Sequence, residues 1–462
     1  MNNDLSQPAV PPLVPKPVSR RFSTMLKMAA ITVLVLLLLI PLAMVQSVLR
    51  ERLQRRDEAV REITSTWGRE QTVLGPVLIV PYNYERKSWK DQVTNSQMER
   101  VEFREILRNR AFFLPASLKA EGALKPDRLH RGIYEAVVYS GSLDMSGSFI
   151  RPSFEEWSVD PKQILWDEAE VAIFITDLRG AKESLQIRLA GQMISLKPGA
   201  KLPGFDGGVY ARVQGLRSDM DSIPFQMHLT LNGSSSLRLA PLGINNDVRI
   251  ASSWQDPSFQ GAFLPTEREL TPGGFRARWQ IPYYGRSYPQ QWTDGNSVPQ
   301  TAIAASLFGV DLVPGLDSYR YVERSIKYGI LCIVLVFTAF FLFEVLSPVR
   351  IHPFQYALVG IALCLFYLGL LALSEIWSFS AAYWTGAAAA TFMIALYGAT
   401  TLRSTGRAFL IGIGLALVYA FLFVILRLQD YSLLVGTAGL FLVLALVMYV
   451  TRNVDWYARD NG

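Results

Sequence analysis

Hydrophobic positions fall into two regimes along this chain. Residues 28–48 and the segment from about 328 onward are near-continuous apolar runs. Residues 50–325 instead show short apolar or alternating stretches broken by Gly, Pro and Asn. A bilayer core about 30 Å thick takes roughly 20 apolar residues as helix. Six stretches reach that length: 28–49, 328–346, 354–374, 379–400, 408–426 and 431–450. Short connections join the last five, so consecutive helices are expected as antiparallel neighbours, each satisfying its own backbone polar groups in lipid. Between two runs sits "SPVRIHPFQYALVG" (347–360), where Pro348 and Pro353 end one helix and start the next. Pro41 is expected to kink the first span.

The region between the first span and the rest reads differently. "RERLQRRDEAVREI" is charged and predicts that the first helix continues past the membrane. Beyond it, "TVLGPVLIVPY" (72–82), "EVAIFITDL" (170–178), "QIRLAGQMISL" (186–196) and "QMHLTLNGSSSLRLAPLG" (226–243) predict strands, and "VRIASSW" and "FRARWQI" extend the pattern to about 281. Asn232-Gly233, between two alternating runs, predicts a hairpin turn. With no long amphipathic helix in sight, 50–325 reads as a mainly antiparallel β domain, a sandwich. "AFFLPASLKAEG" (111–122) and "GAFLPTERELTPGG" (261–274) share Phe-Leu-Pro, a three-residue match that chance explains better than duplication; a two-lobed domain stays open.

Composition agrees with the spans. Half of the 462 residues are hydrophobic and 18% charged, with a mean hydropathy of +0.21, too apolar on average for a soluble protein of this length. The two cysteines, Cys332 and Cys364, lie in apolar runs, so neither disulfides nor a cysteine zinc site is available to the middle domain. The net charge of +6 forms no lysine-rich stripe there, which argues against nucleic acid.

Basic residues in the short loops set the orientation. The 347–353 turn carries Arg350 and His352, "SEIWSFS" (374–380) carries none, 401–407 carries Arg403 and Arg407, "RLQD" only Arg427, and the C-terminal tail Arg452 and Arg459. The alternation places both termini in the cytoplasm and 50–325 outside. Arg50, Arg52, Arg55, Arg56 and Arg61 open a long domain diluted by acids, where the rule has little force. Trp377, Tyr383 and Trp384 are expected as interface anchors on one side, and Tyr449, Trp456 and Tyr457 on the other. A signal peptide is the competing reading of 28–49, but its apolar part is too long and no small-residue cleavage site follows. The expected division is a Pro-rich cytoplasmic tail (1–25), a first span (26–49), the β domain (50–325), a five-helix bundle (326–451) and a short tail (452–462).

Candidate chemistry is sparse. His130, His228 and His352 have no metal spacing. No nucleophile elbow, phosphate loop or dinucleotide fingerprint occurs, so no catalytic residue, metal or cofactor is expected. Asp177 in "TDLRG" reads better as a turn residue pairing with Arg179 than as a base. Ionisable residues near the spans are more informative, because charge in a bilayer is costly. Glu344 ends the second span close to Arg350 and His352. Glu375 ends the third, on the side where Glu323, Arg324 and Lys327 lie. Interfacial anchoring is the plainer reading of all of them, and Glu375 is expected to pair with Lys327 or Arg324.

Several long stretches carry a resemblance. "ERSIKYGILCIVLVFTAFFLFEVLSPVRIHPFQYALVGIALCLFYLGLLALSE" (323–375), "TRNVDWYA" (451–458), "GPVLIVP" (75–81), "HRGIYEAVVYSG" (130–141) and "SSWQDPSFQGAFLP" (252–265) together resemble the inner-membrane CreD family, over about 22–458. Ile376 departs from it, standing where a His is expected after Ser-Glu, which argues against proton sensing at that turn. The resemblance implies an inner-membrane protein of Gram-negative bacteria tied to envelope integrity, colicin tolerance and a response to cell-wall stress and β-lactams, with no established catalysis. Its partners are then inner-membrane lipids and, through the outer domain, envelope proteins, lipids or glycans. A transporter or lipid-handling protein, and a membrane-tethered hydrolase, are the alternatives.

Overall fold

A computed structural model describes residues 20–94, 97–199, 201–216, 220–313, 318–346, 351–401, 405–428 and 431–452. Pro348, Arg350, Arg403, Arg459, Trp456, Tyr457 and the Pro-rich segment before residue 20 lie outside them. The chain divides into two units, one of residues 1–55 and 317–462, the other Arg56–Leu316.

The first unit is helical. It contains most of α1 (Arg20–Trp67), then α3 (Ser318–Lys327), α4 (Gly329–Leu346), α5 (Pro353–Ser374), α6 (Phe379–Thr401), α7 (Thr405–Arg427) and α8 (Ser432–Thr451); α2 (Gln300–Ala304) belongs to the other unit. Among the described residues five helices are long and apolar enough to cross a membrane, and six spans result if α3 and α4, bent by 46° at Tyr328, count as one. The bend separates two compositions. α4 is apolar throughout, whereas α3 carries Arg320, Glu323, Arg324 and Lys327 beside the buried Tyr321, Val322 and Ile326. Residues of α1, α3, α4, α5, α6 and α7 share one apolar core; no described residue of α8 is buried. Trp377 and Trp384 face outward as expected of anchors, but Tyr383 is 1% exposed. It points into the bundle, where its hydroxyl donates to the carbonyl of Tyr419 at 2.8 Å.

The second unit is a β sandwich. Its strands are β1 (Gln71–Thr94), β2 (Gln97–Phe113), β3 (Ser117–Arg131), β4 (Tyr134–Ile150), β5 (Glu170–Ile175), β6 (Gln186–Leu189), β7 (Gln192–Ser195), β8 (Lys197–Pro198), β9 (Val209–Arg212), β10 (Ser222–Ser234), β11 (Ser236–Leu239), β12 (Asn245–Ser252), β13 (Pro257–Gly261), β14 (Glu267–Thr271), β15 (Gly274–Pro282), β16 (Gln291–Thr293) and β17 (Phe308–Leu312). One sheet runs β13-β17-β11-β1-β5-β9-β8, with β2 on β1 and β16 on β2; the other runs β14-β15-β12-β3-β4-β10-β6-β7. Pairing is antiparallel except β1 with β11 and β12 with β3.

Sequence pattern explains which face each sheet buries. β1 is apolar on both sides: Val73, Leu78 and Val80 enter the core between the sheets, while Leu74, Val77 and Ile79 enter a second core with Phe112, Trp292 and Ile303. A register shift between Leu74 and Val77 exchanges the faces, as an inserted residue must when side chains alternate. The second sheet alternates instead. Buried and exposed positions succeed each other along β3 and β10, leaving its outer face to solvent.

Asn232-Gly233 is not a hairpin turn. Both residues continue β10, opposite Ser140 and Tyr139 of β4, and the chain leaves at Ser235 (φ 56°) to join the other sheet as β11. Close packing overrides the turn signal: a Cβ on Gly233 would lie 2.4 Å from Tyr139 Cζ. The two Phe-Leu-Pro segments do share a task, each carrying the chain from the first sheet to the second, β2 to β3 and β13 to β14.

Candidate functional site

The ionisable residues near the spans gather at two ends of the helical unit. At one end Lys27 of α1 forms an ion pair with Glu344 near the end of α4, and the Tyr356 hydroxyl donates to Glu344 Oε2 at 3.2 Å. At the other, Arg52 of α1 lies 3.5 Å from Glu375, which is 14% exposed, and the Tyr319 hydroxyl donates to the same carboxylate at 3.3 Å. Each end thus sets one cation of α1 against one carboxylate and one tyrosine of the C-terminal helices. Lys27 and Arg52 are 25 residues apart in α1, about 37 Å along a helix, slightly more than the hydrocarbon thickness of about 30 Å.

This arrangement corrects the expected partner of Glu375. Lys327 pairs within its own helix, 2.9 Å from Glu323. The Arg324 guanidinium donates to the carbonyls of Leu426 (3.1 Å), Ile425 (3.3 Å) and Leu428 (3.4 Å). It caps the C-terminus of α7, where free carbonyls and the helix dipole favour a cation. His352 has a capping role too. Its Nδ1 accepts from the Phe354 N–H at 3.2 Å, and Gln355 Oε1 accepts from the His352 N–H at 3.0 Å, with Pro353 at the first helical position. Arg350 lies outside the described residues.

The sandwich offers a different kind of site. On the open face of the second sheet lies a groove of about 580 Å³. Strand register places its floor in lateral rows. Lys119 stands opposite Ser146, Ser146 opposite Gln226, and Gln226 opposite Arg188. Three strand spacings of about 4.8 Å put Lys119 and Arg188 roughly 14 Å apart. In the adjacent row, Glu121 stands opposite Asp144 and Asp144 opposite His228. These acids are already engaged: Glu121 lies 3.4 Å from Arg249, and Asp144 lies 2.6 Å from His228 Nδ1. Lys119 and Arg188 form no ion pair among the described residues. The groove therefore sets Lys119 and Arg188 across a hydroxyl and an amide, with the Glu183 carboxylate also on its lining.

Asp177 is a structural knot. It is 6% exposed and accepts from the Arg179 side chain at 2.9 Å through both oxygens, and from the backbone N–H groups of Arg179 (3.1 Å) and Arg69 (3.2 Å). The Arg179 guanidinium foremost, against the opposing effect of burial, holds its carboxyl below the usual carboxylate range. Every acceptor position so occupied supports the turn reading. His130 lies 3.5 Å from Glu135, exposed. Among the described residues no three His, Cys, Asp or Glu side chains are placed to hold a metal ion.

A profile of the family described as "Inner membrane protein CreD" matches residues 23–457. The chain belongs to the CreD family. It is 31% identical to "Inner membrane protein CreD" of Escherichia coli (strain K12) over 435 residues, covering 94% of this chain and 93% of that protein. Among solved structures, an M1 zinc metallopeptidase from Deinococcus radiodurans aligns over 47% of this chain and 53% of its own, at 9% identity and a TM-score of 0.22, too slight a likeness to carry any argument. This is an inner-membrane family, and the apolar helices accord with it.

Sequence reading found the acidic half of each bundle-end pair and missed the basic half. Lys27 and Arg52 belong to runs of basic residues that serve orientation rules, so neither stood out as a partner. The groove had a signal, the strict alternation of β3 and β10, but no sequence feature said that Lys119 and Arg188 share a row.

Proposed function

We propose that this protein is a non-catalytic envelope-integrity component that acts as its resemblance implies, in the response to cell-wall stress. In this reading both termini lie in the cytoplasm, residues 56–316 in the periplasm, and the open sheet face recruits a polar envelope component. The open groove, with Lys119 and Arg188 in one row across its floor, is the observation that supports it. The first sheet contributes to an apolar core on each of its faces, whereas the second leaves one face open to solvent.

A photo-crosslinking residue at Gln226, between the two cations, tests the binding face in living cells. The expected result is capture of a discrete envelope component that is lost when Lys119 and Arg188 are both replaced by Glu. Capture that survives the double replacement unchanged refutes the assignment. Orientation is tested separately by a reporter inserted near residue 200 that matures only outside the cytoplasm; activity confined to the cytoplasm refutes it.

A further inference from the structure

Four helices each bring one polar side chain into the same, mainly apolar core. Cys332 comes from α4, Tyr367 from α5, Tyr383 from α6 and Tyr419 from α7, and each is at most 1% exposed. Phe366 packs at their centre, its ring 4.9 Å from that of Tyr367, 5.5 Å from Tyr383 and 4.6 Å from Tyr419. The Tyr383 hydroxyl is satisfied by the carbonyl of Tyr419. The Tyr367 and Tyr419 hydroxyls are not: both are wholly buried, and neither reaches an oxygen or nitrogen partner among the described residues. The Tyr367 hydroxyl has only the Cys332 thiol beside it, a weak hydrogen-bonding partner.

Burying a hydroxyl without a partner is unfavourable, and more so in lipid, where no solvent compensates. Phenylalanine would fill the same space without that cost, so packing alone does not account for two such hydroxyls. The converging groups are all neutral, which selects a neutral guest that both donates and accepts. Depth favours the smallest one. Cys332 and Tyr383 lie three and four residues from the starts of their helices, Tyr367 and Tyr419 seven and eight from the ends of theirs. In antiparallel helices these are one end of the bundle, about 5–12 Å in.

We propose that this node binds an ordered water shared by the Tyr367 and Tyr419 hydroxyls and the Cys332 thiol, and that the water links α4, α5 and α7. It is a hydrated centre inside a membrane bundle and stands independently of any role for the sandwich. The test uses the full chain in lipid nanodiscs, with Tyr367→Phe, Tyr419→Phe and the double variant. A shared water predicts that each single change lowers the unfolding midpoint and that the pair lowers it no further than the worse single. A midpoint raised by either single change, or shifts that add in the pair, overturns the proposal. Infrared spectra supply a readout that does not depend on the variants folding alike. The wild-type chain should show a bound-water O–H band that moves on exchange into oxygen-18 water; a spectrum with no such band also overturns it.

Discussion

Reversing the charge at Glu375 tests how the helical unit is closed at the end bearing Arg52. At 3.5 Å, with an effective dielectric near 20, the gross attraction between the two charges is about 5 kcal/mol. The net value is smaller, because Arg52 is 38% exposed and water screens it. Exposed pairs contribute under about 1 kcal/mol, whereas breaking buried ones costs about 3–5 kcal/mol. A carboxylate at 14% exposure facing a half-open guanidinium falls between, near 2 kcal/mol. Glu375→Arg also loses the Tyr319 hydrogen bond, about 1 kcal/mol. Part of that is offset, because Glu375 caps the C-terminus of α5, where a cation is preferred by about 0.5 kcal/mol.

The expected result is a drop of about 2–3 kcal/mol in stability for Glu375→Arg, read as a lower unfolding midpoint of the full chain in nanodiscs. Adding Arg52→Glu should restore all but the lost tyrosine bond. Adding Lys327→Glu should restore nothing, since Lys327 is held by Glu323. Adding Arg324→Glu should make matters worse, because it sets a carboxylate against the carbonyls at the end of α7. Recovery by Lys327→Glu or Arg324→Glu, with none from Arg52→Glu, would refute the assignment.

Two further changes probe the sandwich. Asp177→Asn removes a charge held by four donors and should cost about 1–2 kcal/mol at pH 7. Because the folded-state carboxyl titrates below its unfolded value, its stabilisation is complete above about pH 4 and disappears as pH falls through the folded value. Variant and parent melts should therefore converge in acid, and a gap that persists unchanged at pH 2 counts against the knot. Gly233→Ala should lose about 2 kcal/mol or more through overpacking against Tyr139, with Gly233→Asn worse still. Chemical denaturation that finds Gly233→Asn as stable as the parent would restore the hairpin turn.

What the sequence disclosed follows the range of the forces involved. Spans are written in consecutive residues, because lipid demands an apolar surface over about 20 positions of one helix. Pro353 marked the start of α5, and the cap on His352 is likewise local, closed within three residues. The bend at Tyr328 was legible only in hindsight, from the charges of α3 set against the apolar run of α4. The failures share one cause, a partner far away in sequence. Glu375 finds Arg52 instead of the near neighbours Lys327 and Arg324. Asn232-Gly233 has the local signature of a turn, yet Tyr139, nearly a hundred residues earlier, presses on Gly233 and keeps it in a strand.

The open face of the second sheet has one property set locally and one set over long range. Alternation along β3 and β10 requires that one face of the second sheet meet water, so an open polar face is a local consequence of the pattern. Its charge balance is not local. Five strands, from β12 across to β6, must align before Glu121 meets Arg249 and Asp144 meets His228 while Lys119 and Arg188 stand in one row. A one-residue slip of β6 against β10 would turn Arg188 inward and bring the apolar Ile187 or Leu189 to the face. The placement of Lys119 and Arg188 across the groove is therefore a property of strand register, and it should be lost with any change that shifts β6 against β10.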